Sequence, residues 1–152
     1  MGSNGRTVNL DALIPRDDFA RQTDQPADAF EQVGTIAVRD IGHEGLIGPL
    51  LRKPDFQRET NHWTPDQVAS LLECFVNGDL IPSVILWRSS YYIFVIDGGH
   101  RLAALRAWVE DDYGDGAVSR RFFGADIPAS QLKSARAVRE LTHPYCNQSV
   151  KG

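Results

Sequence analysis

YYIFVIDGGHRLAAL, Tyr91 to Leu105, changes its period halfway. Six residues of strand character, Tyr91 to Ile96, meet Asp97-Gly98-Gly99, and the residues after them have helical spacing. A strand that runs through glycines into a helix leaves the first helical amides unpaired and pointing outward, at the positive end of the macrodipole. Glycines let a phosphate approach such a backbone closely, and Arg101 on the first turn can add a bidentate contact. Asp97 can hold a metal, hold a ribose hydroxyl, or cap the helix. Asp-Gly-Gly is also ordinary turn chemistry, so the turn by itself leaves a structural role open.

Upstream, IPSVILW and YYIFVI read as a hairpin, with strands Val84 to Trp87 and Tyr91 to Ile96 and a turn at Ser89-Ser90. Before it stands the best-defined element. Thr64 precedes Pro65 and lies three residues before Gln67, which makes a capping box with proline at the first helical position. Val68, Leu71, Leu72, Phe75 and Val76 then form one apolar stripe, and Asn77-Gly78 stops the helix. Downstream, a second helix runs from about His100 to Glu110 with Leu102, Leu105 and Val109 on one face. EDDYGDG reads as a solvated loop, RRFFGADIP as a short extended piece and ASQLKSARAVREL as a third helix. THPYCNQSVKG shows no period, and the chain is expected to be a fragment of a longer protein. Thr35 to Val38 reads as a short strand and the stretch His43 to Trp63 as loop. Residues 1–33 lack a period and are expected to form an arm or loosely packed extension, with the domain proper at 34–152.

The 152 residues, 42% hydrophobic and 24% charged, suit one water-soluble domain. No apolar run approaches the roughly 20 residues of a membrane span, and the N-terminus has no secretory leader, so a cytoplasmic protein without membrane partners is expected. Cys74 and Cys146 lie far apart without C-x-x-C spacing, which fits a reducing compartment and no metal centre. A net charge of −4 argues against a protein coated in positive charge for nucleic acid. The charge is uneven, however: residues 1–40 carry 4 basic and 7 acidic side chains, and residues 116–152 carry 6 and 2. That tail is compatible with a local polyanion-binding face, although a solvated surface is the simpler account. No H-E-x-x-H, G-x-x-x-x-G-K-[ST] or G-x-S-x-G template is present.

A second polar cluster, Gln57, Arg58, His62 and Trp63, stands just before the capped helix. Phe56 is expected to bury there and Gln57-Arg58 to project, offering a second guanidinium to an anion; Trp63 reads as a core anchor. The ordered set Phe56-Gln57-Arg58, Trp63, helix, Gly78-Asp79-Leu80-Ile81-Pro82, strand pair and Asp97-Gly98-Gly99-His100-Arg101-Leu102 resembles the ParB/sulfiredoxin-like superfamily. Most closely it resembles the N-terminal domain of GmrSD-type restriction enzymes and related phage-defence proteins, which read F-Q-R…W…G-x-I-P…D-G-Q-Q-R.

That resemblance implies an α+β fold, a small mixed sheet with packed helices. It also implies a site for a nucleoside triphosphate of unknown base, with Mg²⁺, formed by Gln57, Arg58, Gly98, Gly99 and Arg101. Asp97, His100 and Arg101 take the catalytic positions, and no residue is assigned as a dedicated metal ligand. Gly99 and His100 stand where the family usually has two glutamines, although DNA-sulfur-modification proteins carry a similar D-G-Q-H-R. Loss of a water-orienting glutamine weakens the case for hydrolysis and leaves that for binding intact. His100 can replace it as acid or base, since histidine titrates near neutrality, or can be a surface residue at a helix start. Sulfiredoxin itself has a cysteine between glycine and histidine, and this turn has none, so sulfinic-acid chemistry is disfavoured.

Three functions follow as expectations. The first is a nucleotide-binding, NTP-hydrolysing domain of a phage-defence or modification-dependent restriction protein, acting on foreign or modified DNA. The second is a non-enzymatic sensor of nucleotide or modified DNA, controlling a C-terminal effector domain or partner protein. The third is an interaction module whose turn is only structural.

Overall fold

The computed structural model describes residues 7–18, 37–57, 59–79, 83–89 and 91–146. Four short strands form one mixed sheet: β1 (Arg16–Asp17), β2 (Leu51–Pro54), β3 (Ile85–Arg88) and β4 (Ile93–Asp97). Their order is β1-β2-β4-β3. β1 pairs parallel with β2, and β2 parallel with β4, with Leu51 opposite Ile93. β3 pairs antiparallel with β4 and bulges between Ile85 and Leu86. The helices are α1 (Pro65–Asn77), α2 (Gly99–Glu110), α3 (Ala117–Phe123) and α4 (Ala129–Cys146), with 3-10 turns at Val38–Ile41 and Gly48–Leu50. The architecture is the α+β one expected, a small mixed sheet with helices packed against it. Among the described residues no helix is long and apolar enough to cross a membrane.

α1 forms where the capping box placed it. The Gln67 amide donates to Thr64 Oγ1 at 3.3 Å, and the Thr64 amide donates to Gln67 Oε1 at 2.9 Å. The helix closes at Gly78, whose left-handed φ of 75° costs a residue without Cβ nothing. Val68, Leu71 and Leu72 are buried with Leu51, Val95 and Trp108 in the core. Thr64→Ala is expected to cost about 1 kcal/mol, the worth of an N-cap side chain. Urea titration measures it: an unmoved midpoint would mean that the cap contributes nothing.

α2 is buried more completely than its expected one-faced stripe, with Leu102 through Trp108 all buried. Small alanines at 103, 104 and 107 let neighbours close around every side of it.

Several expectations need correction. Residues 7–18 are not a loose arm: Val8, Leu10, Leu13 and Ile14 are fully buried in the core, and β1 extends the sheet. Val38 begins a 3-10 turn rather than ending a strand, while Thr35 lies outside the described residues. The loop read between His43 and Trp63 contains β2, a strand flanked on both sides by parallel partners. RRFFG is the end of α3 rather than an extended piece.

EDDYGDG is likewise structured. Asp112 is wholly buried, and its carboxylate accepts the amides of Gly114, Gly116 and Ser119 and the Ser119 hydroxyl. Asp111 and Asp115 both pair with Arg139 of α4, at 3.0 and 2.6 Å.

Candidate functional site at the strand-to-helix turn

β4 ends at Asp97, and α2 starts immediately after Gly98. Gly98 takes φ +90°, a conformation L side chains rarely adopt. The turn is also tight: a Cβ built there would lie 3.0 Å from Val84 Cγ2, and 3.2 Å from both Arg101 Nη2 and Val84 Cα. Gly99 is different, because a Cβ there would touch Thr60 Cγ2 at 3.6 Å and meet nothing else within 4 Å. The backbone at the helix start can therefore be approached closely at Gly99.

Asp97 does not cap the helix, since no side chain caps this N-terminus. Its carboxylate is exposed and 3.8 Å from Arg101 Nη2. Arg101 is largely buried and donates from Nη2 to the Ser83 carbonyl at 2.9 Å, while its Nε has no partner. The guanidinium thus ties the approach to β3 onto the turn and keeps its charge beside the helix N-terminus.

The second cluster closes on the same turn. The Gln57 side-chain amide donates to the Ile96 carbonyl, one residue before Asp97. The His62 amide donates to His100 Nε2 at 3.2 Å, which makes that nitrogen an acceptor and leaves the proton of a neutral imidazole on Nδ1. Trp63 stacks on the His100 ring at 5.3 Å between centroids and 17° between planes. Trp63 also packs against the core, as an anchor should. Gln57, Gly98, Gly99, His100 and Arg101 are therefore neighbours, and Arg58 lies outside the described residues. The orientation of the loop reverses the expected one: Phe56 is 67% exposed, and Gln57 turns inward. The Ile96 carbonyl, near the end of β4, accepts the amide and holds it more firmly than solvent would.

What positions this loop was not visible in the sequence. Lys53 on β2 is 2% exposed and donates from Nζ to Asp11 Oδ1 at 3.2 Å and Thr60 Oγ1 at 3.1 Å. Burial pushes its ammonium below the ordinary lysine range, and the Asp11 charge pulls it partly back. Asp11 also accepts the Thr60 amide at 2.7 Å and the Asn61 side chain at 3.1 Å. Backbone bonds from Leu10 to Thr60 and from Val8 to Trp63 complete the attachment. Arg16 reaches the Gln57 carbonyl at 2.6 Å. The N-terminal segment is thus the support of the site.

A separate cleft of about 460 Å³ lies near the opposite end of α2. There both carboxylate oxygens of Glu110, whose side chain is 4% exposed, sit 2.7 Å from His43 Nδ1. Among the described residues no three His, Cys, Asp or Glu side chains converge as a metal site.

Compared with known families, residues 38–149 match the family described as GmrSD restriction endonuclease, N-terminal domain. No curated protein and no solved structure matches. Residues 8–17, which hold the loop in place, precede the matched span.

Proposed function

This chain belongs to the family of GmrSD restriction endonuclease N-terminal domains, and from that premise we propose that it binds a nucleoside triphosphate at the Asp97–Arg101 turn and thereby controls a DNA-directed effector. The observation that carries the reading is the helix start itself. Gly98 bends the strand into α2, Gly99 leaves the backbone approachable, and the Arg101 charge is held alongside. These are the features a polyphosphate needs, and two donors from the 57–62 loop fix the geometry around them.

The residues present fit the anion. Arg101 has donors beyond the one spent on Ser83, and the exposed Asp97 carboxylate is free to take part in holding Mg²⁺. The metal would supply charge neutralisation between phosphate oxygens. This chain's own residues bind and orient: the helix amides receive the phosphate, Arg101 balances its charge, and Trp63 with His100 walls off one side.

The engagement of His100 favours the switch over the hydrolase. Its Nε2 lone pair already accepts the His62 amide, so that nitrogen is not available to take a proton. A residue so fixed positions a ligand rather than accepting a proton from water. Binding then reports to the effector through the 57–62 loop, which both the turn and the N-terminal segment hold.

The test is titration with each of the four NTPs and Mg²⁺ by calorimetry, alongside phosphate release. One NTP is expected to bind with little or no turnover. Arg101→Ala should weaken that binding by about 1.5–3 kcal/mol, the range for charge-assisted hydrogen bonds. Absence of binding by all four removes the reading, and rapid phosphate release restores the hydrolase.

A further inference from the structure

α3 and the start of α4 carry a surface unlike the rest of the molecule. Residues 117–136 hold four of the chain's 16 Lys and Arg but one of its 20 Asp and Glu, on a protein of net charge −4. Such enrichment would mean little if the cations served internal pairs. Arg120 is spent on the Asp115 and Ala125 carbonyls, where it closes α3 and keeps its charge. Arg121, Lys133 and Arg136 are exposed, and among the described residues no ion pair engages any of them.

In the sequence two aromatic rings stand between these cations, directly after Arg121. Phe122 is 55% exposed and Phe123 38%, edge to face with centroids 4.8 Å apart. Their helix is not loose: Ser119 is buried, Val118 packs on the core, and the Asp112 carboxylate holds the Ser119 amide at 2.8 Å. α4 turns Ser134, Ala135 and Val138 inward, which leaves Leu132, Lys133 and Arg136 on its outer face. A five-residue connection, Gly124 to Pro128, joins the ring-bearing end of α3 to this face. Rigid, solvent-facing rings among cations suit a partner that offers both flat apolar faces and negative charge.

We propose that the corner made by the end of α3 and the outer face of α4 binds single-stranded nucleic acid. Phe122 and Phe123 stack on unpaired bases, and Arg121, Lys133 and Arg136 neutralise phosphates. Duplex fits less well, because paired bases hide the faces the rings would use. A protein partner shares the preference for aromatics and arginine but would have to cover Lys133, a residue type depleted at protein interfaces, and the sedimentation arm below tests it. The proposal is independent of the nucleotide reading and uses none of its residues.

Fluorescence anisotropy with a labelled oligothymidylate of ~20 nucleotides, and with a duplex of the same length, tests it at about 50 and about 200 mM salt. Wild type is expected to prefer the single strand and to lose affinity as salt rises. Phe122→Ala with Phe123→Ala should cost the single strand about tenfold, spare the duplex, and leave the melting temperature in place, since both rings are exposed. Arg121→Ala, Lys133→Ala and Arg136→Ala together should weaken both ligands and flatten the salt dependence. The proposal is overturned by absent binding or by variants that bind as wild type does. It is equally overturned if sedimentation shows a dimer that the phenylalanine variant dissolves while DNA affinity holds, which would make the corner a contact between copies. NTP titrations of the same variants should match wild type, so loss of one site does not imply loss of the other.

Discussion

Asp11→Ala should destabilise the protein by about 3–5 kcal/mol, the cost of leaving a buried charge without its partner. An exposed ion pair is worth about 0–1 kcal/mol, so burial decides the size of this effect. The side chains of Lys53 and Asp11 are 3% and 15% exposed. Without Asp11 the Lys53 ammonium keeps only Thr60 Oγ1, and the Thr60 amide and the Asn61 side chain lose their acceptor as well. Lys53→Met should cost less, because the carboxylate it abandons still accepts three donors from Thr60 and Asn61.

The pH dependence gives a second readout. Burial lowers the Lys53 value in the folded protein, whereas the unfolded chain titrates near the free-lysine value of about 10.4. Between the two, the unfolded state binds more protons, so stability rises with pH across that window. Asp11→Ala removes the charge that holds the folded value up, which widens the window downward. The deficit of the variant should therefore shrink as pH climbs toward 10, since a neutral amine tolerates burial. Chemical denaturation at several pH values measures it. A loss under 1 kcal/mol that does not change with pH would mean that water reaches the pair.

This network also shows where sequence reading stops. α1, the hairpin and α2 were legible because each is encoded locally, by a cap three residues from its partner or by a period of two or 3.6. β2 was not: Leu51-Arg52-Lys53-Pro54 has a lysine and a proline where a flanked strand normally carries apolar residues. The lysine is admitted only because Asp11, 42 positions away, meets it inside. Val8 to Ile14 bury as irregular chain, and the alternation of Val8, Leu10 and Ala12 with Asn9 and Asp11 is too short a period to announce them. α3 is held at its start by Asp112, seven residues before the amide it binds, outside the window in which a cap is sought. At the site the turn was legible from Asp97-Gly98-Gly99-His100-Arg101, and the orientation of Phe56 and Gln57 was not. The Ile96 carbonyl accepts the glutamine amide, and only the fold reveals that acceptor.

Gly98→Ala and Gly99→Ala should have opposite outcomes, and the contrast separates the shape of the turn from what the turn holds. At Gly98 any Cβ meets a backbone atom, Val84 Cα, at 3.2 Å, and the φ of +90° is itself strained for alanine. Strain of about 1–3 kcal/mol and overpacking of similar size make a loss of about 2–4 kcal/mol the expectation. Relief requires β3 to move from α2 or Arg101 to leave Ser83, so nucleotide affinity should fall with stability. At Gly99 the backbone is helical and the nearest atom is a methyl at ordinary contact distance. Alanine is the better helix former there by about 0.5–1 kcal/mol, so the variant should be as stable as wild type or more so. Its added methyl nevertheless occupies the space through which a phosphate reaches the first amides of α2. Gly99→Ala is thus expected to retain its melting temperature and lose about tenfold or more in NTP affinity, one missing or lengthened charge-assisted bond. If affinity survives in Gly99→Ala, the phosphate does not seat over that glycine. Arg101 and Gln57 would then serve the turn alone, as its struts.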